Sequence, residues 1–369
     1  MRVALVHDWL VVSGGAEKVT RELLKLYDCD VFALVDHLNP EDRAFILNGK
    51  HAHTSLVQHL PFSATQFRYY LPFFPMAMER LDLSAYDLII SASYAVAKGV
   101  RRLKGQTHVC YNHTPMRYAW VNEQDYLDDH RMHGLRRWFV RRQLKKLREW
   151  DLRSNIGVDR FIANSQNVAD RVKKYYGREA DVVLPPVDPA IFISGHGPRT
   201  FHLAAGRMVP YKRIDRIVQA FASLPEQQLL VAGDGPERAR WERDAPANVI
   251  FTGHLDQQRL VELMQQARSM ICAADEDLGL TPLEAQACGT PVIALRKGGY
   301  LETVRNGVNG IFFDEASPAT IANAVRRFEA EGVTTCAEEL REGVRPYFSD
   351  RFREKVKSII EDTLSHASR

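Results

Sequence analysis

Ala274-Asp275-Glu276-Asp277-Leu278-Gly279-Leu280-Thr281-Pro282-Leu283-Glu284-Ala285-Gln286-Ala287-Cys288-Gly289 follows directly on the apolar run Ser269–Cys272. Strand-like sequence gives way to a loop broken by Gly279, and Pro282 is tolerated in the first turn of a following helix. Glu276 therefore belongs to the loop and Glu284 to the helix, so the two carboxylates need not face each other as an acid/base pair. Backbone N–H groups of Leu280 and Thr281 point from the helix N-terminus toward where a phosphate would sit. Glu284, on the helix, can accept both hydroxyls of a ribose.

The same strand-loop-helix unit recurs outward in both directions. Thr200–Ala204 leads into Gly206-Arg207-Met208-Val209-Pro210-Tyr211-Lys212-Arg213 and a helix from near Ile214. Arg207 and Lys212 sit where such a junction can aim two cations at one diphosphate, although a plain surface loop with basic residues reads equally well. Gln228–Ala232, Asn248–Phe251 and Pro291–Ala294 complete this half. The first half has Val3–His7, Leu88–Ser91, His108–Tyr111 and Phe161–Ala163, each near a helical pattern. Alternation of this kind predicts an α/β chain of two doubly wound parallel sheets. Leu184-Pro185-Pro186-Val187-Asp188-Pro189 and Ser194-Gly195-His196-Gly197-Pro198 forbid a continuous helix or central strand between them. The predicted domains are residues 1–190 and 191–346. A helical tail, 347–369, is free by its sequence to pack on either. Open parallel sheets bind ligands at the carboxyl ends of their strands, so two facing domains predict a cleft with a donor half and an acceptor half.

Composition sets bounds on this reading. The 369 residues are 45% hydrophobic with a formal charge of +3, as in a soluble globular protein of two ordinary domains. Five scattered cysteines lack zinc or redox spacing and point to a reducing compartment. Val3–Val6 meets His7 and Asp8 at once, which is too short for a signal-peptide core or a membrane span. Ser13-Gly14-Gly15-Ala16-Glu17 can present backbone N–H groups to an anion at a helix start, or form a plain tight turn. It lacks G-x-G-x-x-G, so no nicotinamide cofactor is indicated. Asp275-x-Asp277 and Asp28-x-Asp30 match a metal-binding D-x-D only by chance.

Two surface features remain. Arg136, Arg137, Arg141, Arg142, Lys145, Lys146 and Arg148 form either a solvated helix face or a contact for anionic lipid. Phe62, Phe67, Tyr69, Tyr70, Phe73 and Phe74 crowd among Pro61, Pro72 and Pro75. They are either core or a patch that docks a lipid-linked acceptor, with Tyr69, Tyr70, Phe73, Phe74, Arg141 and Arg142 as the contacts. Basic residues without an interleaved aromatic stripe do not suggest nucleic-acid binding.

Glu276 and Glu284, with seven residues between them, resemble the two-glutamate motif of the retaining glycosyltransferases of family four. The resemblance extends to Gly206–Lys212, Phe161-Ile162-Ala163-Asn164-Ser165, Gly14-Gly15 and Tyr111-Asn112-His113-Thr114-Pro115, nearly the whole chain in the same order. One departure is Leu278, where a phenylalanine is common; it changes packing and leaves the polar roles intact. The resemblance implies a GT-B fold of two Rossmann-like domains, with the terminal helix crossing back to the first. It implies that Arg207 and Lys212 bind the donor diphosphate, Glu284 the ribose and Glu276 the transferred sugar, with His113 beside the reacting carbon. Gly14, Gly15, Gly279, Leu280 and Thr281 would complete the nucleotide-sugar site, with no metal and no cofactor.

Within that family the chain looks most like bacterial transferases that build surface polysaccharide, often with GDP-mannose as donor. A lipid-linked saccharide acceptor and a cytoplasmic enzyme, peripheral on the inner membrane face, would follow. A UDP-sugar donor, a sugar-nucleotide 2-epimerase and a non-catalytic sugar-nucleotide sensor are the alternatives.

Overall fold

The computed structural model describes residues 1–121, 123, 124, 127 and 133–367; the side chains of Arg136 and Ala367 lie outside that description. The chain divides into two compact units, Met1–Pro186 with Asp350–Arg369, and Val187–Ser349.

Unit 1 holds seven strands: β1 (Val3–His7), β2 (Cys29–Ala33), β3 (His53–Thr54), β4 (Leu88–Ser93), β5 (Thr107–Asn112), β6 (Arg160–Ala163) and β7 (Asp181–Val182). They pair in parallel in the order β3-β2-β1-β4-β5-β6-β7. Every residue of β1, β4 and β5 is buried, as expected of strands covered on both faces. Ala4, Val6, Phe32 and Ile89 face one core with Phe74 and Trp150. Leu5, Ile90, Val109 and Tyr111 face the other.

The second core includes Phe352, Val356 and Ile360 of the last helix, Ser349–Ala367. Spaced four apart, they form one stripe along it. The Phe352 ring meets Tyr111 edge-on at 5.6 Å, and Arg353 reaches the buried carboxylate of Glu22. The units part at Pro186/Val187 and Ser349/Asp350, a few residues from the expected breaks. The reason is a short parallel bridge: Val187 donates to the Tyr347 carbonyl (2.7 Å) and Ser349 to the Val187 carbonyl (3.1 Å). The outgoing and returning segments thus lie side by side.

Unit 2 holds β8 (Phe201–Ala205), β9 (Leu229–Ala232), β10 (Val249–Gly253), β11 (Ala267–Cys272), β12 (Val292–Leu295) and β13 (Gly310–Phe313). All pair in parallel in the order β10-β9-β8-β11-β12-β13. Both units are doubly wound Rossmann-like sheets. Each sheet reverses its direction of growth once, between β1 and β4 and between β8 and β11. Crevices for ligands form at such points, outside the carboxyl ends of the strands.

Candidate functional site

In unit 2 the sequence-predicted residues gather at the β8/β11 reversal. β8 ends at Ala205, one residue before Gly206-Arg207, and Pro210–Lys212 closes a single helical turn. β11 ends at Cys272, and the Glu276 loop runs from it to the helix Leu280–Ala287. The Lys212 Nζ donates to Glu276 Oε1 at 2.5 Å. Burial pulls this lysine's pKa down, but the neighbouring Glu276 carboxylate outweighs it and holds the ammonium above its ordinary value. Arg207 is exposed, and its side chain has no hydrogen bond or ion pair among the described residues. Glu284 is buried on its helix, four residues after Leu280.

Two supporting loops escaped the sequence reading. Gly279 has φ +84°, and a Cβ there would lie 2.4 Å from the Tyr300 ring. The Lys297-Gly298-Gly299-Tyr300 segment after β12 runs against the Glu276 loop, with the Gly299 N–H donating to the Glu276 carbonyl at 2.9 Å. A Cβ on Gly299 would fall 2.1 Å from the Leu278 Cα, so only glycine permits this approach. The loop after β9 likewise supports the Arg207 segment: Gly206 donates to Ala232 (3.0 Å) and Met208 to Asp234 (2.8 Å). Consecutive or alternating glycines directly after a strand were the available signal in both. The two D-x-D matches hold cations of the chain itself, Asp275 with Lys297 at 3.0 Å and Asp28 with Lys50 at 2.7 Å.

The reversal point of unit 1 is built differently. Just past β1, the buried Asp8 carboxylate accepts backbone N–H groups from Tyr94 (2.6 Å), Ala95 (3.0 Å), Val96 (2.5 Å) and Ala97 (2.6 Å). Burial pushes its pKa up against the pull of these donors. Gly14 lies at the start of the helix Gly15–Leu24, and its N–H is taken by Glu17 Oε2 at 3.0 Å. A Cβ on Gly14 would come within 2.8 Å of that oxygen. Glu17 also lies 3.3 Å from His7 Nε2, whose Nδ1 is 2.9 Å from the Thr20 hydroxyl. Glu17 carries no motif signal of its own in the sequence.

His113 follows the last residue of β5, with its ring against Tyr94 (6.0 Å) and Tyr111 (5.2 Å). Its Nε2 is buried without a hydrogen-bond partner among the described residues. Burial first, and His7 second, push its pKa down to about 3, so the imidazole is neutral.

The aromatic segment is split. Tyr69 and Phe73 are exposed, and Tyr70 is half-buried with its hydroxyl on the Pro61 carbonyl at 2.9 Å. Phe74 corrects the expectation of a contact surface: at 1% exposure it packs with Phe67 and Trp9 in the core. The basic stretch lies on the helix Gly134–Ser154, which buries Leu144, Leu147 and Trp150 and exposes Leu135, Trp138 and Phe139. Arg141 bonds to Gln124 (3.0 Å) and lies 3.3 Å from Glu123, and the Arg142 guanidinium lies 5.9 Å from the Trp138 ring centroid. No helix among the described residues is long and apolar enough to cross a membrane.

Residues 13–191 match the sequence family described as Glycosyltransferase Family 4, and residues 191–347 match Glycosyl transferases group 1. Each match covers just under half of the chain and together they span residues 13–347, so the chain is similar to glycosyltransferases over nearly its whole length. A D-inositol 3-phosphate glycosyltransferase of Acidothermus cellulolyticus is 32% identical to it over 244 residues, 56% of this chain and 54% of the relative. The chain therefore spans about half the length of the relatives it matches in sequence. Among GT-B structures, sucrose-phosphate synthase from Thermosynechococcus elongatus superposes with a TM-score of 0.76 at 18% identity, over 99% of this chain and 100% of that one. Anabaena HepE in complex with UDP-glucose gives 0.71 at 18% identity, over 98% and 100%.

Proposed function

We propose that this glycosyltransferase moves a hexose, with retention, from a nucleoside-diphosphate sugar to a hydroxyl of a lipid-linked oligosaccharide in bacterial surface-polysaccharide synthesis. GDP-mannose is the favoured donor. One observation carries the reading: at the β8/β11 reversal, Arg207, without a partner among the described residues, stands on the strand-end loop next to Lys212, whose charge is balanced by Glu276. An incoming diphosphate supplies the anion that Arg207 lacks. It also draws Lys212 from Glu276, whose carboxylate is then available to the hydroxyls of the transferred sugar.

Departure of the diphosphate builds negative charge on its oxygens. Arg207, Lys212 and the N–H groups of Leu280 and Thr281 stabilise that charge more in the transition state than in the bound donor. Glu284 holds the ribose. With the leaving phosphate taking the proton of the acceptor hydroxyl, attack occurs on the face from which the diphosphate leaves.

The test is thermal stability with GDP, UDP, ADP and their sugar conjugates, since a ligand that binds the folded state alone raises stability by mass action. GDP and GDP-mannose are expected to give the largest shifts. A larger shift with UDP-sugars would favour the second reading, which the HepE complex with UDP-glucose suggests. No shift with any nucleotide would overturn both. Incubation with the nucleotide sugar alone excludes an epimerase unless a new sugar nucleotide appears.

A further inference from the structure

Three adjacent strands of unit 1 each deliver an aromatic ring just past their carboxyl ends: Trp9 after β1, Tyr94 after β4 and His113 after β5. The Trp9 and Tyr94 rings stand edge to face with centroids 5.0 Å apart, and Tyr94 meets His113 at 6.0 Å. Trp9 and Tyr94 are both half-buried, so part of each remains open to solvent. The row is rigid for a stated reason. Asp8, between β1 and Trp9, grips the backbone of residues 94–97 through four N–H groups, which fixes the Tyr94 turn beside Trp9. From behind, Trp9 is packed by Phe67 (5.5 Å) and Phe74 (6.1 Å). An exposed cation lies at the Trp9 end of the row, the Arg68 guanidinium, 5.8 Å from the Trp9 ring centroid and 4.7 Å from that of Phe67.

A hydrophobic core needs neither a ring at each strand end nor a cation beside the outermost one. Amphipathic rings that are half-open and held rigid suit a ligand with alternating C–H faces and hydroxyl edges, which is a carbohydrate. A guanidinium at one end suits a phosphate. We infer that Trp9 and Tyr94 form the floor of the acceptor site and that Arg68 binds a phosphate carried by the acceptor sugar. The acceptor class is thus a sugar phosphate or a saccharide linked through phosphate. This rests on the reading of the chain as a glycosyltransferase with its acceptor in unit 1.

The experiment uses the full chain labelled with 5-fluorotryptophan and read by fluorine NMR. Trp9 is assigned by its loss in Trp9→Phe, and Trp241 in unit 2 serves as the internal reference. Titration with α-mannose 1-phosphate is expected to move the Trp9 resonance saturably, with methyl α-mannoside binding about tenfold more weakly. The surface variant Arg68→Ala should remove that tenfold difference and leave the methyl mannoside response intact. Inorganic phosphate alone should leave the Trp9 resonance in place. No movement of Trp9 with either sugar overturns the inference, and so does a response to inorganic phosphate equal to that of the sugar phosphate, which would mark an anion site only. The readout needs neither donor nor turnover, so it fails or succeeds independently of nucleotide binding in unit 2.

Discussion

The two sheets share a topology, yet their reversal points carry opposite chemistry. Unit 2 presents an exposed Arg207 and a Lys212 held above its ordinary pKa by Glu276, on loops that glycines pack tightly together. Unit 1 presents half-open rings, a neutral His113, and a carboxylate at Asp8 whose charge is turned inward on backbone N–H groups. One end presents cations on its strand-end loops, and the other presents half-open rings with the Arg68 guanidinium at their edge. One topology thus carries two different sets of side chains at its reversal points, set by the loops at its strand ends.

Charge removal tests that contrast hardest. Arg207→Ala and Lys212→Ala should each lower kcat about a hundred- to a thousandfold, the scale of one lost donor to a developing anion, roughly 3–4 kcal/mol. Donor affinity should fall much less. His113→Ala in unit 1 removes a neutral hydrogen-bonding group and should cost about 1–2 kcal/mol, or roughly tenfold. Steady-state kinetics with a measured donor Kd decides this. Equal losses in kcat and in affinity at Arg207 would reduce it to a binding residue, and a thousandfold loss at His113 would erase the contrast.

The next test separates the sites from the interiors beneath them. His108 on β5 bonds Ser91 (2.8 Å) and the Gly157 carbonyl (3.1 Å), and His202 on β8 bonds Ser269 (2.8 Å). Burial lowers both to about 4 from 6.5. A folded-state pKa below the unfolded one means that the unfolded chain binds more protons between about pH 4 and 6.5. Stability is therefore full above that window and falls as pH drops through it. On going from pH 7 to 5 each histidine should cost on the order of 2 kcal/mol. Denaturant unfolding at the two pH values should show His108→Gln and His202→Gln each shrinking the loss by that amount, one in each unit. An unchanged pH response in either variant would place the acid sensitivity elsewhere.

The fold is legible in the sequence for most of the buried strands. β1, β4, β5, β8, β9, β11 and β12 all read as apolar runs. β2 carries the exposed Asp30, β3 and β7 have two residues each, and β13 begins at Gly310, so these gave no comparable signal. Motif reading found the residues of the unit 2 reversal, because strand, loop and helix are contiguous there. It did not find the Lys212–Glu276 contact, which spans 64 positions and depends on β8 and β11 being neighbours. Glu17 is not legible because its partner His7 lies on another element, and only the fold brings them within 3.3 Å. Phe74 stays open between core and contact surface in the sequence because composition cannot divide a crowded aromatic segment. Phe67 and Phe74 turn inward to Trp9, and Tyr69 and Phe73 turn out.

The smallest effect concerns the surfaces. Unit 1 exposes Leu135, Trp138 and Phe139 on the first two turns of the Gly134–Ser154 helix, with Arg142, Lys145 and Lys146 exposed on the later turns. Apolar side chains succeeded by cations suit the boundary between acyl chains and anionic head groups. In unit 2 the exposed Ile193, Tyr211, Ile250 and Leu301 are dispersed over separate elements. Flotation with phosphatidylglycerol vesicles at low salt should recover the full chain, and Arg142→Gln should weaken recovery by about 1 kcal/mol, roughly fivefold in partitioning. Leu301→Ser should change nothing. Raising the salt should erode the Arg142 effect, because exposed charges are screened beyond a Debye length of about 8 Å at physiological ionic strength. If Leu301→Ser weakened flotation as much as Arg142→Gln, the membrane-facing character would not belong to unit 1. The contrast between the units would then stop at their reversal points.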